Sequence, residues 1–318
     1  MVGRVAVLCV VLVLLLGGAW TAFRALFPDA PQVLASEPVT PPAAVVTVVP
    51  VELDGGGKQA VTVVQALRVV ETTGTLERKR DDGWSALAQG DTLSIEESVR
   101  TGRNAGAVIQ VGAAGRVQVG SRTELTFNRV DKDLVRLKLQ EGRVVAEAQG
   151  ALFQVESQGS DAVAEARDGR FSVMSDGRGL VAVATETGNV RFKAAGKEVE
   201  VPAGTQSVAR DGRAPGTPAP VPTSLLLKVA PPPRAVQSDH EQEVSGQASP
   251  GSVVHVKGRA VPVDERGRFH IKVPLEEGPN TVEVVASDVT GREKTSNFTV
   301  KVDSHAPQIK GRMTWGAQ

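Results

Sequence analysis

GDTLSIEESVRTGRNAGAVIQVGAAGRVQVGSRTEL, residues 90–125, is the stretch that decides the fold. Its apolar residues alternate: Ala107, Ile109 and Val111, then Val117 and Val119, then Leu125 and, just beyond, Phe127. Glycines stand between these runs. Alternation at period two sets one face of an extended chain against a core and the other toward water, and glycine-rich breaks supply tight turns. The stretch predicts short half-buried strands.

The same signature continues outward. Val135, Leu137 and Leu139 alternate with Arg136 and Lys138, and the pairs Phe171/Val173, Val181/Val183, Val190/Phe192 and Val199/Val201 follow suit. A short echo links Thr73-Gly74-Thr75-Leu76 to Thr187-Gly188-Asn189-Val190. Each is followed by a polar turn and an Ala/Gly step, Ala88-Gln89-Gly90 and Ala203-Gly204-Thr205, which predicts two copies of one hairpin-like unit. Residues 60–213 therefore read as one β domain. Residues 224–303 read as a second, with Phe269, Ile271, Val273 and Leu275 on one strand face, Val282, Val284 and Ala286 on the next, and Phe298, Val300 and Val302 on the last. Asp264-Glu265-Arg266-Gly267 and Asp288-Val289-Thr290-Gly291 are turn sequences. About 80 residues with about seven short strands is the size of an immunoglobulin-like sandwich.

Between and before these blocks the composition shifts. Residues 214–223 are a proline-rich linker expected to insulate the two domains, and residues 27–59 a longer one suited to polyproline II. Within the longer linker, Val45–Val51 reads equally as a first strand. Val5 to Phe23 carries no charge over 19 residues, enough to span a bilayer core of about 30 Å. Residues 1–26 are accordingly read as a signal anchor, a single transmembrane helix with its N-terminus cytoplasmic and the bulk of the chain periplasmic. The alternative is a signal peptide cleaved after Gly17-Gly18-Ala19, releasing the chain into the periplasm. Residues 304–318 read as a tail.

Composition narrows the chemistry. Thirty-six basic and 36 acidic residues cancel, tyrosine is absent and aromatics make up 3%. That gives no basic face for nucleic acid and little stacking surface for sugars or bases. The one cysteine, Cys9, lies inside the apolar run, so the exported part is expected to hold no disulfide and no Cys-based metal site. No Gly-x-Ser-x-Gly elbow, P-loop, Gly-x-Gly-x-x-Gly or His-Glu-x-x-His occurs. The acidic groups Glu96-Glu97, Asp131-Lys132-Asp133 and Glu276-Glu277 read as solvated turns, with calcium binding the alternative for Asp131 and Asp133. His255 and His270 fall opposite the core series of their strands and are expected in solvent, as are His240 and His305 in junctions. No catalytic residue, cofactor or metal is expected. Candidate partner contacts are Trp84, Arg100 and Arg122.

Val99-Arg100-Thr101-Gly102, the alternating strand after it, Gly120-Ser121-Arg122-Thr123-Glu124-Leu125, Gly142-Arg143-Val144 and the closing Val201-Pro202-Ala203-Gly204-Thr205-Gln206-Ser207-Val208 together resemble the FecR domain. Two turns depart from that pattern, at Glu97-Ser98 and Ala114-Gly115. The resemblance implies a compact all-β extracytoplasmic domain, in part solenoid-like, used in contacts with partners. Residues 250–291 resemble bacterial Ig-like modules of cell-surface proteins, and Asp303-Ser304-His305-Ala306-Pro307 looks like the junction that introduces another. The expected protein is all-β, a FecR-like domain followed by an Ig-like sandwich behind one transmembrane helix. Its expected role is non-catalytic binding or scaffolding in the cell envelope, with an envelope protein or cell-wall glycan as partner. The alternatives are a periplasmic sensor signalling through another membrane protein, since only four residues precede the apolar run, and an accessory subunit of an envelope enzyme.

Overall fold

The computed structural model describes residues 66–80, 83–210 and 212–305. The expected anchor, the longer linker and the tail beyond His305 lie outside the described residues, as do Asp81, Asp82 and Asp211. Among the described residues every regular element is a strand, and no helix is long and apolar enough to cross a membrane.

The first body is a single hydrogen-bonded sheet of 14 strands folded around one core. Its spine is the strand Leu134–Ser157. The first third of the spine pairs with Glu124–Val130, and its middle pairs with Gly115–Val119. From Gly142 onward its other side pairs with Val163–Ser175, which in turn pairs with Val181–Ala194. A strand this long stays in a compact body only if it bends. It does so at Gly142 and Gly150, both at positive φ, where a residue without Cβ turns the backbone cheaply. The alternating residues predicted to face inward, Ile109, Val111, Val117, Val119, Leu125, Phe127, Leu137 and Leu139, are all buried in this core.

The echo between residues 73–76 and 187–190 corresponds to a shared construction. Leu76–Arg80 forms a hairpin with Gly83–Ala86, and the Val190 half of Val181–Ala194 forms one with Lys197–Pro202. In each copy a turn glycine then bonds back to the strand before the hairpin: Gly90 N donates to Val69 O at 2.8 Å, and Gly204 N to Thr185 O at 2.8 Å. The next strand returns along that earlier strand, Thr92–Leu93 on Leu67–Arg68 and Thr205–Ala209 on Val181–Ala184. The two copies sit toward opposite ends of the sheet.

The second body is a two-sheet sandwich. One sheet holds Leu227–Val229, Glu241–Ala248 and Arg268–Pro274; the other holds Val236–Gln237, Glu293–Val302, Gly278–Ser287, Val253–Val256 and Arg259–Val261. Phe269, Val273 and Leu275 from one sheet meet Val254, Val282, Val284, Val300 and Val302 from the other. Both aspartate turns form as their sequences predict. Asp264 Oδ1 accepts from Arg266 N and Arg268 N at 2.9 and 2.8 Å, and Asp288 Oδ1 from Thr290 N and Arg292 N at 3.0 and 3.1 Å.

The proline-rich segment 214–223 is laid along the first body. Ala219–Pro220 pairs with Thr205–Gln206, Gly216 N donates to Val208 O at 2.9 Å, and Pro215 is buried. The two bodies meet directly. Met174, Leu180, Ala182 and Ala184 on the outer face of the first sheet form one apolar cluster with Val253 and Val289 of the sandwich. The expected insulation is absent because these small and flexible side chains leave a smooth apolar surface, and burying it is favourable.

Phe269 is 3% exposed, whereas His270, one residue along, points to solvent and pairs with Glu243 at 3.1 Å. Phe269→Ala should cost about 3–5 kcal/mol, read as a clear fall in the urea midpoint, and His270→Ala under about 0.5 kcal/mol. A larger loss for His270→Ala would mean that this strand turns its other face to the core.

Candidate functional site

The joint between the two bodies is built by three turns of the first body. Thr101 ends the strand Ser98–Thr101, and its Oγ1 donates to Gly120 O at 2.6 Å while accepting from Thr123 N at 3.0 Å. Thr123 Oγ1 in turn accepts from Arg143 N at 2.9 Å and lies 3.2 Å from Arg143 O. Both threonines are buried, so their hydroxyls replace water for backbone groups that would otherwise be orphaned. The third chain must come close. A Cβ on Gly142 would sit 2.5 Å from Thr123 Cα. These threonines and glycines are the residues that carry the FecR resemblance, and their spacing is thereby given a structural reason.

Each of the three tied segments carries arginine to the joint: Arg100 and Arg103, Arg122, and Arg143. Arg122 sits at φ 48, with its N–H on Gly102 O at 3.1 Å, and its guanidinium makes no salt bridge among the described residues. Arg103 crosses to the sandwich and pairs with Glu283 at 2.9 Å. Ser121 Oγ reaches Glu293 at 3.2 Å. Arg143 lies flat against Gly291, where a Cβ would stand 2.5 Å from Nη2. Burial holds its guanidinium below the ordinary value, and Asp288 opposes that shift. On the far side Arg210 donates to Val263 O at 2.9 Å, and Arg292 to Pro222 O at 2.6 Å.

These contacts enclose two adjoining clefts lined by both bodies, of about 320 and about 380 Å³. Arg122, Glu141 and His255 line both. Burial and the neighbouring Glu124 push Glu141 above the usual carboxylate range. His255, expected in solvent, is instead covered by the first body. Burial, with the charges of Arg122 and Arg103, brings it down to about 4, and its Nδ1 has no hydrogen-bond partner. The strand pattern places His255 on the outer face of the sandwich correctly, but that face is the docked one.

Of the three predicted contact residues, Arg100 and Arg122 line the same cleft and Trp84 does not. Trp84, on Gly83–Ala86, is a platform for Arg100, whose guanidinium carbon stands 4.1 Å from the ring centre while its Nε donates to Glu77 at 2.7 Å. Asp131 is a turn cap that accepts from Asp133 N and Leu134 N at 3.0 and 2.8 Å and pairs with Arg129 at 2.6 Å. Of the cleft residues not expected as contacts, Arg143 and His255 sit at outward positions beside the core residues Val144, Val254 and Val256, and Glu141 follows the inward series just before the bend at Gly142. The one local signal is the run Val181-Ala182-Val183-Ala184, apolar on both faces, which marks a strand buried on both sides.

Residues 244–304 match the family described as glucodextranase, domain B, a match confined to the second body. No curated protein matches the chain. Two structures of a candidate anti-sigma factor from Parabacteroides distasonis are similar at 15% and 14% identity and TM-score 0.34, each over 39% of this chain. The match spans 59% of those chains. A polysaccharide lyase is similar at 10% identity and TM-score 0.20, over 74% of this chain and 40% of that one. Likeness at this level does not bear on function.

A histidine neutral when folded and protonated when unfolded costs stability in acid. Below about pH 6.5 the unfolded chain takes up a proton at His255 that the docked chain refuses until about pH 4, so stability falls as pH drops through that window. The loss should reach up to about 3 kcal/mol relative to His255→Gln. Urea midpoints of both proteins at pH 7 and pH 4.5 measure it. Equal acid losses in the two would mean that His255 is not held neutral at the joint.

Proposed function

We propose that this chain is a non-catalytic binding protein of the bacterial cell envelope. Residues 1–26 hold it at the cytoplasmic membrane, and the two docked β bodies face the periplasm. The joint between them receives an envelope protein or a cell-wall glycan.

The observation that carries this reading is the composite cleft. Groups from both bodies converge there, among them the guanidinium of Arg122, which makes no salt bridge among the described residues, and Nδ1 of His255, which has no hydrogen-bond partner among them. Concave sites with a few convergent polar groups are the usual seat of ligand binding. Donors (Arg122, Arg143, Ser121) and acceptors (Glu141, Asp176, Glu293) are mixed along its lining. Such a lining suits a neutral ligand rich in both, such as glycan hydroxyls and amides or a polar protein loop. Docking also fixes the site in advance, because a ligand need not pay to order two independent domains.

A photo-crosslinking amino acid at position 121, in full-length chain expressed in intact cells, tests the proposal. A discrete adduct in the membrane fraction is expected at position 121 and not at exposed Lys272, and Arg122→Glu should abolish it. Adducts of equal yield at both positions, or none at position 121, would overturn it.

A further inference from the structure

The end of the sandwich away from the joint gathers four metal-ligating side chains from three connections. His240 precedes Glu241–Ala248, Glu277 precedes Gly278–Ser287, and Asp303 and His305 follow Glu293–Val302. His305 Nδ1 lies 3.5 Å from Glu277 Oε1 and 3.9 Å from Asp303 Oδ1, and His240 Nε2 lies 3.6 Å from Glu277 Oε2. Ligand atoms of Glu277, Asp303 and His305 all lie within 4.8 Å of one another, and His240 stands outside that group, beside Glu277. Around a tetrahedral Zn²⁺ with bonds of about 2.0–2.2 Å, ligand atoms stand about 3.3 Å apart.

A second observation concerns the tautomer of His240. Its ring Nδ1 is 3.2 Å from Leu275 O, and Leu275 N donates to His240 O at 2.8 Å, so the residue is pinned at both main chain and ring. A carbonyl can only accept, so Nδ1 carries a hydrogen, and Nε2 stands 3.6 Å from Glu277 Oε2. The carboxylates carry their own supports: Ser304 N and Oγ donate to Glu277 at 3.2 and 2.9 Å, and Lys301 to Asp303 Oδ2 at 3.2 Å. Each carboxylate oxygen keeps a further lone pair for a cation.

The geometry points to a surface site for a divalent d-block cation of the Zn²⁺ type, formed by Glu277, Asp303 and His305. An imidazole nitrogen in the ligand set favours such an ion over Ca²⁺ or Mg²⁺, which prefer all-oxygen sets. Bound there, the ion ties two connections together and fixes the direction in which the chain leaves its last strand.

The test is calorimetric titration of Zn²⁺ into the full-length chain, stripped of metal in detergent at pH 7.5, where unperturbed imidazole is neutral. One saturable site per chain is expected. His305→Ala, Glu277→Gln and Asp303→Asn should each weaken it about tenfold or more. His270→Ala, which removes a histidine from another exposed pair, should leave it unchanged. Because these side chains are exposed, melting curves should show each variant folded. No saturable uptake, or uptake that all three variants retain, would overturn the site. None of these residues lines the joint, so this result and the crosslinking result stand or fall separately.

Discussion

Two buried threonine hydroxyls govern the arrangement of this protein. Thr101 and Thr123 together satisfy backbone groups of Gly120, Thr123 and Arg143, and so bind the segments around residues 101, 120–123 and 143 to one another. A buried amide or carbonyl without a partner costs about 1–3 kcal/mol, so losing either hydroxyl would free more than one segment at once. Everything at the joint hangs from this tie. Arg100 and Arg103 are neighbours of Thr101, Arg122 of Thr123, and Arg143 of Gly142, so the tie sets the spacing of four guanidinium groups. The sandwich then docks against a surface whose charges are already in place.

The two aspartate turns of the sandwich show what docking changes. Locally they are alike, with the same pattern of amides around the carboxylate. One is drawn to the first body by Arg210, which bonds the carbonyls of Val263 and Asp264. The other lies against the first sheet, with Val289 in the shared apolar cluster and Gly291 under Arg143. Glycine is required at Gly291 twice over, for its φ of 89° and because a side chain would strike Arg143. A turn that reads as solvent-facing punctuation is in this case part of an interface.

Much of the fold was legible in the sequence because alternation reports directly on which face of a strand meets its own core. Ile109, Phe127, Leu137, Phe269 and Val284 all lie where period-two reasoning puts them. The same reasoning does not reach the covering of His255, and the proline-rich composition of residues 214–223 misleads about insulation. Alternation separates one face from the other but does not say what covers the outer one. Docking between distant segments leaves a weak local trace, in this chain alanines at 182 and 184 and Met174 where a solvated face would carry charge. Arg100 and Arg122, which border the turn motifs, lie along the cleft. Trp84 lies under Arg100, which arrives from another strand.

The boundaries of the first sheet bear on how the protein behaves in a crowded compartment. A sheet with free edges invites strands of other molecules to add on, which is a common route to aggregation. Among the described residues, each terminal strand of this sheet is a poor template. Thr92–Leu93 is two residues long, and Ala219–Pro220 is equally short and ends in a residue with no amide hydrogen. Lys197–Pro202 carries Lys197, Glu198 and Glu200 and also ends in proline, and Gly83–Ala86 is four residues long beside the Trp84–Arg100 stack. The repeated hairpin-and-return unit thus leaves only short or charged strands at the borders of the sheet. A long, continuous sheet in this way offers little unpaired backbone at its margins.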